Sequence, residues 1–184
     1  MLGSPPLHPA HWTLAAPPSR VSVSVRHLGV GHIVGEFRRF TGQVRVDVEG
    51  TLRRLELTVD AQSLVAGHDL HTRPLRTLFG SDDHPSLHFR SDWSYEKGGG
   101  REGVQGTLVM HGLTHVVELV AVRGAVLTDG EGRRWYAATV TGTLDRRQWG
   151  PITHGPVELG GLVLGHDVEL RLELHAPLAD DAAQ

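Results

Sequence analysis

Several segments of the chain alternate apolar and polar residues one by one. Val21, Val23 and Val25 are separated by Ser22 and Ser24. The same alternation recurs at 44–48, 53–60, 87–93, 104–110, 135–144 and 167–175. Successive side chains of a β-strand point to opposite sides of the sheet, so each such segment has one apolar and one polar face. Together with the apolar segment 116–127, the pattern predicts about eight antiparallel strands.

An all-β sheet of this kind has to bury its apolar face. It can curl into a barrel, which also removes exposed edges, or pack against a second sheet in a sandwich, and the alternation is compatible with both. The interior of an eight-stranded barrel is either filled by side chains or holds one ligand. Because only 5% of the residues are aromatic, the sequence favours an interior with unfilled volume.

The segment between Ser63 and Pro85 lacks the alternation. Leu75, Leu78 and Phe79 have helical spacing, and Pro74 suits the first turn of a helix. We therefore expect one short helix within this segment.

Two other segments have a less regular pattern. Gly29, Gly31 and Gly35 interrupt the apolar stretch after the first strand and predict a bend or a short helical turn. Residues 116–127 are nearly all apolar, which predicts either a strand covered on both faces or a strand whose register the alternation does not define.

The length of 184 residues suits one domain. We expect a flexible N-terminal arm at 1–11, which has three prolines and no periodicity, the β-barrel domain at 12–176, and a flexible tail at 177–184. The N-terminus has no basic and apolar leader, and no stretch of about 18 apolar residues follows. As the sequence stands, it predicts a cytoplasmic protein without an integral membrane segment.

Charge and composition argue against several functions. The net charge is −3 with both signs interspersed, which argues against a nucleic-acid partner. There is no cysteine, and therefore no disulfide, thiolate metal site or cysteine nucleophile. The sequence also has no G-x-S-x-G, H-E-x-x-H or P-loop motif. We therefore predict that the protein is not an enzyme.

The 13 histidines are the candidate metal ligands. The pairs His84/His88 and His111/His115 are each spaced four apart, which on a strand separates them by about 13 Å, too far for one metal ion. Neighbouring histidines near residue 70 could serve as ligands on a helix. Solvated surface histidines are the interpretation that we favour, so no metal site is predicted.

Seven segments, in order along the chain, resemble the YceI-like family of polyisoprenoid-binding, lipocalin-like proteins. They are S-V-R-H-L with G-E-F-R-R-F-T-G, V-D-A-Q-S-L at 59–64, P-L-R-T-L-F with H-P-S-L-H-F, V-Q-G-T-L-V-M-H-G-L-T-H-V-V-E-L at 104–119, and G-T-L-D-R-R-Q-W-G at 142–150. The chain departs from the family where an Arg-Asp pair is usual, since it has His71 and Thr72 there. It is also two residues shorter between Leu75 and Pro85.

The resemblance implies a lipocalin-like antiparallel β-barrel whose apolar lumen carries or stores a long isoprenoid lipid, a related lipid or a quinone, with no cofactor. Many relatives are exported to the periplasm. We expect apolar side chains to line the lumen: Val23, Val25, Phe37, Phe40, Val46, Leu57, Leu78, Phe79, Phe89, Leu108 and Trp149. His27 and Arg76 are the candidate contacts to a headgroup, with Arg38, Arg39 and Arg73 as further cations near it.

Other interpretations stay open at the level of sequence. His27 fits a hydrogen-bonded residue at a strand end as well as a residue at the mouth of a cavity. Trp149 and Phe79 fit core positions as well as ligand contacts. The alternatives to lipid binding are a histidine-dependent metal enzyme and a filled β-domain that acts as a stress or partner-interaction module. Monomer and homodimer are both compatible with the sequence.

Overall fold

A computed structural model of the chain describes residues 10–27, 31–80, 82–150, 158–159 and 162–178. The strands are β1 Ala10–Thr13, β2 Arg20–His27, β3 Gly31–Phe37, β4 Phe40–Val46, β5 Leu52–Asp60, β6 Leu64–Ala66, β7 Ser86–Gly98, β8 Arg101–Met110, β9 Leu113–Thr128, β10 Arg134–Asp145, β11 Glu158–Leu159 and β12 Leu162–Pro177. The α-helix α1 spans Asp69–Phe79, and short 3-10 turns span Ala61–Ser63 and Arg146–Trp149.

The strands form one antiparallel sheet in the order β1-β4-β5-β7-β8-β9-β10-β12-β2-β3-β6, with β11 paired to β12. The predicted all-β class and antiparallel pairing are confirmed, and the alternative of two packed sheets is wrong. The described residues form twelve strands where about eight were predicted. Short strands such as β1 and β6 are too brief to give an alternating pattern.

The sheet curls into an incomplete barrel whose two ends are β1 and β6. Two short connections bring these ends together, because the chain passes from β3 to β4 and from β5 to β6. The backbone N–H of Arg38 donates to the carbonyl of Ser63 (3.2 Å) and that of Asp60 to the carbonyl of Arg39 (3.0 Å). The Arg39 N–H also donates to Ser63 Oγ at 3.0 Å. Where the two ends of the sheet meet, hydrogen bonds between the two connections therefore replace the strand pairing that would close a complete barrel.

The alternating segments have the predicted faces. On β5, Leu55, Leu57 and Val59 are buried, whereas Arg54 and Thr58 are exposed. The same holds for 140–144 of β10 and 168–174 of β12, where Leu170 is only partly buried. The three glycines 98–100 lie at the turn that joins β7 to β8, and all three have positive φ.

One facial assignment is wrong, and one of two open alternatives is excluded. Unbroken alternation over 87–93 would place Trp93 on the inward face with Leu87 and Phe89, but a bulge in the pairing of β7 with β8 shifts the alternation, so Trp93 is 51% exposed. The apolar segment 116–127 is not covered on both faces, since Val116 and Val122 are 65% and 52% exposed. Its register is defined by pairing with β8 and β10.

The glycine-rich stretch after β2 is described only in part. Residues 31–37 form the strand β3, so the predicted bend or helical turn does not lie at Gly31 or Gly35, whereas residues 28–30, which include Gly29, lie outside the described residues. Gly35 allows a close approach there, since a Cβ atom at this position would lie 3.1 Å from Leu64 Cδ2 and from Leu75 Cδ1.

The predicted short helix is present as α1, which starts with His68 as its N-cap. Pro74 lies in its second turn and not in its first, so the carbonyl of Leu70 has no helical N–H partner. Leu70 is 74% exposed, which leaves that turn accessible to water. Pro74, Leu75, Leu78 and Phe79 form the buried face of the helix.

The two ends of the chain fall partly outside the described residues. Of the predicted arm at 1–11, residues 1–9 are not described, whereas Ala10 and His11 belong to β1 and pair with β4. Of the predicted tail, Pro177 ends β12 and Leu178 donates its N–H to the Arg134 carbonyl at 2.9 Å. None of the described helical segments has the length and apolarity that a membrane crossing requires.

Candidate ligand-binding cavity

The sheet and α1 enclose an apolar cavity of about 50 Å³. Eight strands and the helix contribute side chains to its wall, and every one of these side chains is apolar. The lining residues are Val21, Val23, Phe37, Leu57, Val59, Phe79, Leu87, Phe89, Leu108, Val117, Leu119, Leu144, Leu170 and Leu172. Water inside an apolar cavity of this kind would lack hydrogen-bond partners from the wall.

Six of the residues predicted to line a lumen lie in this wall: Val23, Phe37, Leu57, Phe79, Phe89 and Leu108. The other five do not reach the cavity. Val25, Val46, Leu78 and Trp149 are buried elsewhere in the core, and Phe40 is partly buried against it. Alternation identifies the inward face of a strand but not the position of a residue along the barrel axis. For this reason it predicts Val25 and Val46 as lining residues although they lie away from the cavity.

Helix α1 closes one side of the cavity through Phe79. The Phe79 ring packs edge-on against the Phe37 ring, with 5.5 Å between their centroids. The helix is also tied to the sheet by polar contacts. Arg76 Nε donates to the Leu64 carbonyl at 2.8 Å, and His111 Nε2 donates to the Leu78 carbonyl at 2.9 Å.

The predicted headgroup residues lie outside the cavity wall. Arg76 has a structural hydrogen bond to the backbone of β6, and His27 is a partly buried residue at the end of β2, paired with Gly31. The neighbouring cations Arg38 and Arg39 form ion pairs with Glu36 and Asp60. No cation therefore lines the described cavity.

The spaced histidine pairs do not share a strand as expected. His84 precedes β7, and its ring lies over Gly112, where an added Cβ atom would meet it at 2.8 Å. His111 lies in the β8–β9 turn with φ of 52°, and the His115 ring packs against Trp149 with 5.1 Å between centroids.

Near the start of α1, the rings of His68 and His71 lie 5.5 Å apart. His68 Nδ1 accepts the N–H of Leu70, so one of its ring nitrogens caps the helix. Among the described residues, no group of three or more histidine or acidic side chains is placed to hold a metal ion.

Two buried charged residues are not predicted by the sequence pattern. Arg146 is 1% exposed, and its Nε and Nη2 donate to the carbonyls of Gly165 (2.8 Å) and Leu164 (3.2 Å). Arg146 therefore joins the turn after β10 to β12.

Glu102 is 2% exposed and lies on the inward face of β8. In the alternation of β8, Glu102 falls on the same face as the buried Val104 and Leu108. This position is the one signal in the sequence that indicates burial of Glu102.

Glu102 is only partly compensated for its burial. Its Oε2 accepts the backbone N–H of Leu52 at 2.9 Å, whereas its Oε1 has no hydrogen bond and lies 3.8 Å from Arg123 Nε. Burial raises the pKa of Glu102, with a further increase from Asp47, and the hydrogen bond from Leu52 opposes this rise. Burial also raises the pKa of the neighbouring Tyr136 phenol.

We expect the free energy of unfolding of Glu102→Gln, relative to that of wild type, to increase as the pH rises. A carboxyl whose pKa is higher in the folded state binds more protons when folded, so its favourable contribution is present below the unfolded pKa of about 4.3 and is lost above the raised pKa. The measurement is the free energy of unfolding of both proteins in urea at about pH 4 and about pH 7. A difference between them that does not change with pH would contradict the assignment.

A methyl group added to a side chain of the cavity wall should cost less stability than one added to a side chain in a tightly packed part of the core. Val59 lines the cavity and Val44 is buried away from it, so each can be changed to isoleucine as a matched pair. Val59→Ile should leave stability unchanged or raise it by up to about 1 kcal/mol, whereas Val44→Ile should lower it by about 1–3 kcal/mol through overpacking. Urea denaturation of both variants checks this, and equal losses would mean that no usable space exists at Val59.

Fold and cavity together define an antiparallel, incomplete β-barrel with a cavity whose wall is entirely apolar. The YceI-like domain model matches residues 12–176, and the chain therefore belongs to the YceI-like domain family.

Relatives and solved structures agree with this assignment. A UPF0312 protein of Vibrio campbellii is 28% identical over 55% of each chain, and UPF0312 protein SAB2563 of Staphylococcus aureus is 25% identical over 82% of this chain and 88% of its own. The chain thus spans about half the length of the first relative and most of the second.

The folds of solved structures are also similar. Burkholderia cenocepacia BcnA has a TM-score of 0.68 at 20% identity, covering 89% of this chain and 99% of BcnA. A polyisoprenoid binding domain from Saccharophagus degradans, implicated in plant cell wall breakdown, has a TM-score of 0.63 at 17% identity, covering 93% and 100% of the two chains. At these identities the comparison shows a shared fold.

Proposed function

We propose that the protein binds the hydrocarbon chain of an isoprenoid lipid, a related lipid or a quinone inside the barrel, for carriage or storage and not for conversion. The observation that carries the proposal is the wall of the cavity, whose fourteen side chains are all apolar and come from eight strands and α1. Removing a hydrocarbon from water into such surroundings is worth about 0.8 kcal/mol per CH₂ group.

Binding a long chain requires the cavity to enlarge. Its volume of about 50 Å³ is well below the roughly 300–1,000 Å³ of sites that enclose small ligands. Helix α1 is the wall element best suited to move, because it is joined to the sheet by side-chain contacts and not by a strand ladder. Phe79 lies in the cavity wall, so movement of the helix outward would withdraw this ring and lengthen the space.

The small volume favours a second candidate, a filled β-domain that acts through a protein partner. Most of the interior is packed, and the core includes Leu14, Leu52, Leu55 and Tyr136, none of which lines the cavity. In this second account the apolar residues serve stability alone. It predicts that added lipids do not bind and that the interior stays closed.

Lipid extraction and titration separate the two candidates. We expect an organic extract of the purified protein to contain a lipid with a long hydrocarbon chain at near-stoichiometric amounts, and calorimetry of delipidated protein to show binding of a polyprenyl alcohol with a negative heat-capacity change. Val59→Ile should bind more weakly and Val44→Ile, where folded, as wild type does. No extracted lipid, together with no binding of polyprenyl alcohols or quinones, would refute lipid binding.

A further inference from the structure

Glycine residues lie on the inward face of three strands, β4, β8 and β10, of which β8 and β10 also contribute side chains to the cavity wall. A side chain of the cavity wall lies over each of them, so that a Cβ atom added to the glycine would meet it at 3.1 Å or less. The pairs are Gly42 with Leu57, Gly106 with Phe89, and Gly142 with Leu119. Each of these side chains therefore lies back against the sheet in a recess, which keeps it out of the centre of the barrel.

Gly142 forms the recess that can be tested most cleanly. It lies between the inward residues Val140 and Leu144 of β10 and is directly opposite Leu119 on β9. A Cβ atom on Gly142 would lie 2.4 Å from Leu119 Cδ2, and the next nearest atom, the Glu118 carbonyl oxygen, would be 3.5 Å away. Only the end of one flexible side chain therefore has to move.

The other two recesses are bounded by backbone. An added Cβ atom would lie 2.4 Å from the Arg90 carbonyl oxygen at Gly106 and 2.9 Å from the Glu56 carbonyl oxygen at Gly42. Substitutions there would disturb strand pairing as well as the cavity.

A Leu119 side chain displaced from its recess has a buried neighbour on its other side. On the side opposite Gly142, Leu119 is paired with Val104 of β8, which is 1% exposed and belongs to the core. The side chain already lines the cavity, so it would turn further into it and narrow the space at this level.

We infer that Gly142 determines which hydrocarbon chains the cavity accepts, because its recess holds the Leu119 side chain and so leaves width for the methyl branches of an isoprenoid chain. The inference rests on the proposed function. A straight chain is narrower than a methyl-branched chain of the same backbone length, so loss of the recess should affect the branched chain more. Excess volume of about one methyl group in an apolar site changes affinity by roughly 10-fold or more.

The test compares two alcohols with equal backbone length, the methyl-branched geranylgeraniol and the straight hexadecanol, by calorimetric titration. Wild type, Gly142→Ala, Gly142→Ala/Leu119→Ala and the control Gly67→Ala are titrated with each. An added Cβ atom at Gly67 meets nothing within 4 Å. We expect Gly142→Ala to bind geranylgeraniol roughly 10-fold more weakly, hexadecanol to change much less, the double variant to recover, and Gly67→Ala to match wild type.

The outcomes separate the inference from the proposed function. If wild type binds neither alcohol, both fail. If wild type binds geranylgeraniol and a folded Gly142→Ala binds it as tightly, the inference alone is overturned. Where Gly142→Ala does not fold, Leu119→Ala replaces it, since this variant enlarges the same space. The ratio of the two affinities should then shift roughly 10-fold towards geranylgeraniol, and an unchanged ratio overturns the inference.

Discussion

Leu57→Asp should lower the free energy of unfolding by about 3–5 kcal/mol, which is a large part of the stability of a typical domain. Leu57 is 6% exposed and forms part of the apolar cavity wall. An ionised carboxylate at this position would lose its hydration and find no polar partner in the wall. Urea denaturation at neutral pH measures the effect, and the loss should become smaller at acidic pH as the new carboxyl is protonated.

The matched control for Leu57→Asp is Thr58→Asp. Thr58 is the next residue of the same strand, and its side chain is exposed, with Oγ1 3.2 Å from His88 Nδ1. The same new side chain there should cost at most about 1 kcal/mol, mainly through the low strand propensity of aspartate. Similar losses at the two positions would refute the register of β5.

Arg146→Met should lower the free energy of unfolding by about 2–5 kcal/mol, because the backbone carbonyls of Leu164 and Gly165 would stay buried without their guanidinium donors. Methionine retains most of the apolar volume of the arginine stem, so the loss is due mainly to polar contacts. Thermal and urea denaturation give the size of the effect. Hydrogen exchange should show faster opening of β12 near Leu164 in the variant.

Arg147→Met is the control for this second prediction. Arg147 is 49% exposed and pairs with Asp145, whose pKa it lowers to about 2 through side-chain hydrogen bonds. Exposed ion pairs contribute up to about 1 kcal/mol, so this change should have little effect on stability at neutral pH. An effect as large as that of Arg146→Met would mean that the buried hydrogen bonds are not the reason for the loss.

The buried face of most strands could be predicted because one side of the sheet is apolar and the other side is exposed to water. Leu57, Val59 and Val140 point inward as their alternation indicates, and Thr141 and Thr143 point outward. The rule fails at Trp93, since a bulge adds one residue to one strand and reverses the alternation that follows. The alternation rule does not assign Val116 and Val122 to a face of the sheet, because isolated apolar residues are common on protein surfaces.

The cavity itself could be predicted only in part. Six of its fourteen wall residues were identified from the inward parity of strands and from family resemblance. Its small volume, the recess at Gly142 and the hydrogen bonds of Arg146 all depend on contacts between residues far apart in the sequence. A local pattern contains no information on such contacts, and a single glycine in a strand is consistent with a bulge, a bend or a close approach.

Methyl-resolved NMR of the Leu- and Val-labelled protein tests most directly whether the cavity is the binding site. On saturation with geranylgeraniol, we predict large chemical-shift changes for methyl groups of Val23, Leu57 and Leu108, which line the cavity. Methyl groups of the buried Leu55 and of the outward Val122 should change little. Changes confined to Val122 and other outward residues, or no change at any methyl group, would contradict binding inside the barrel.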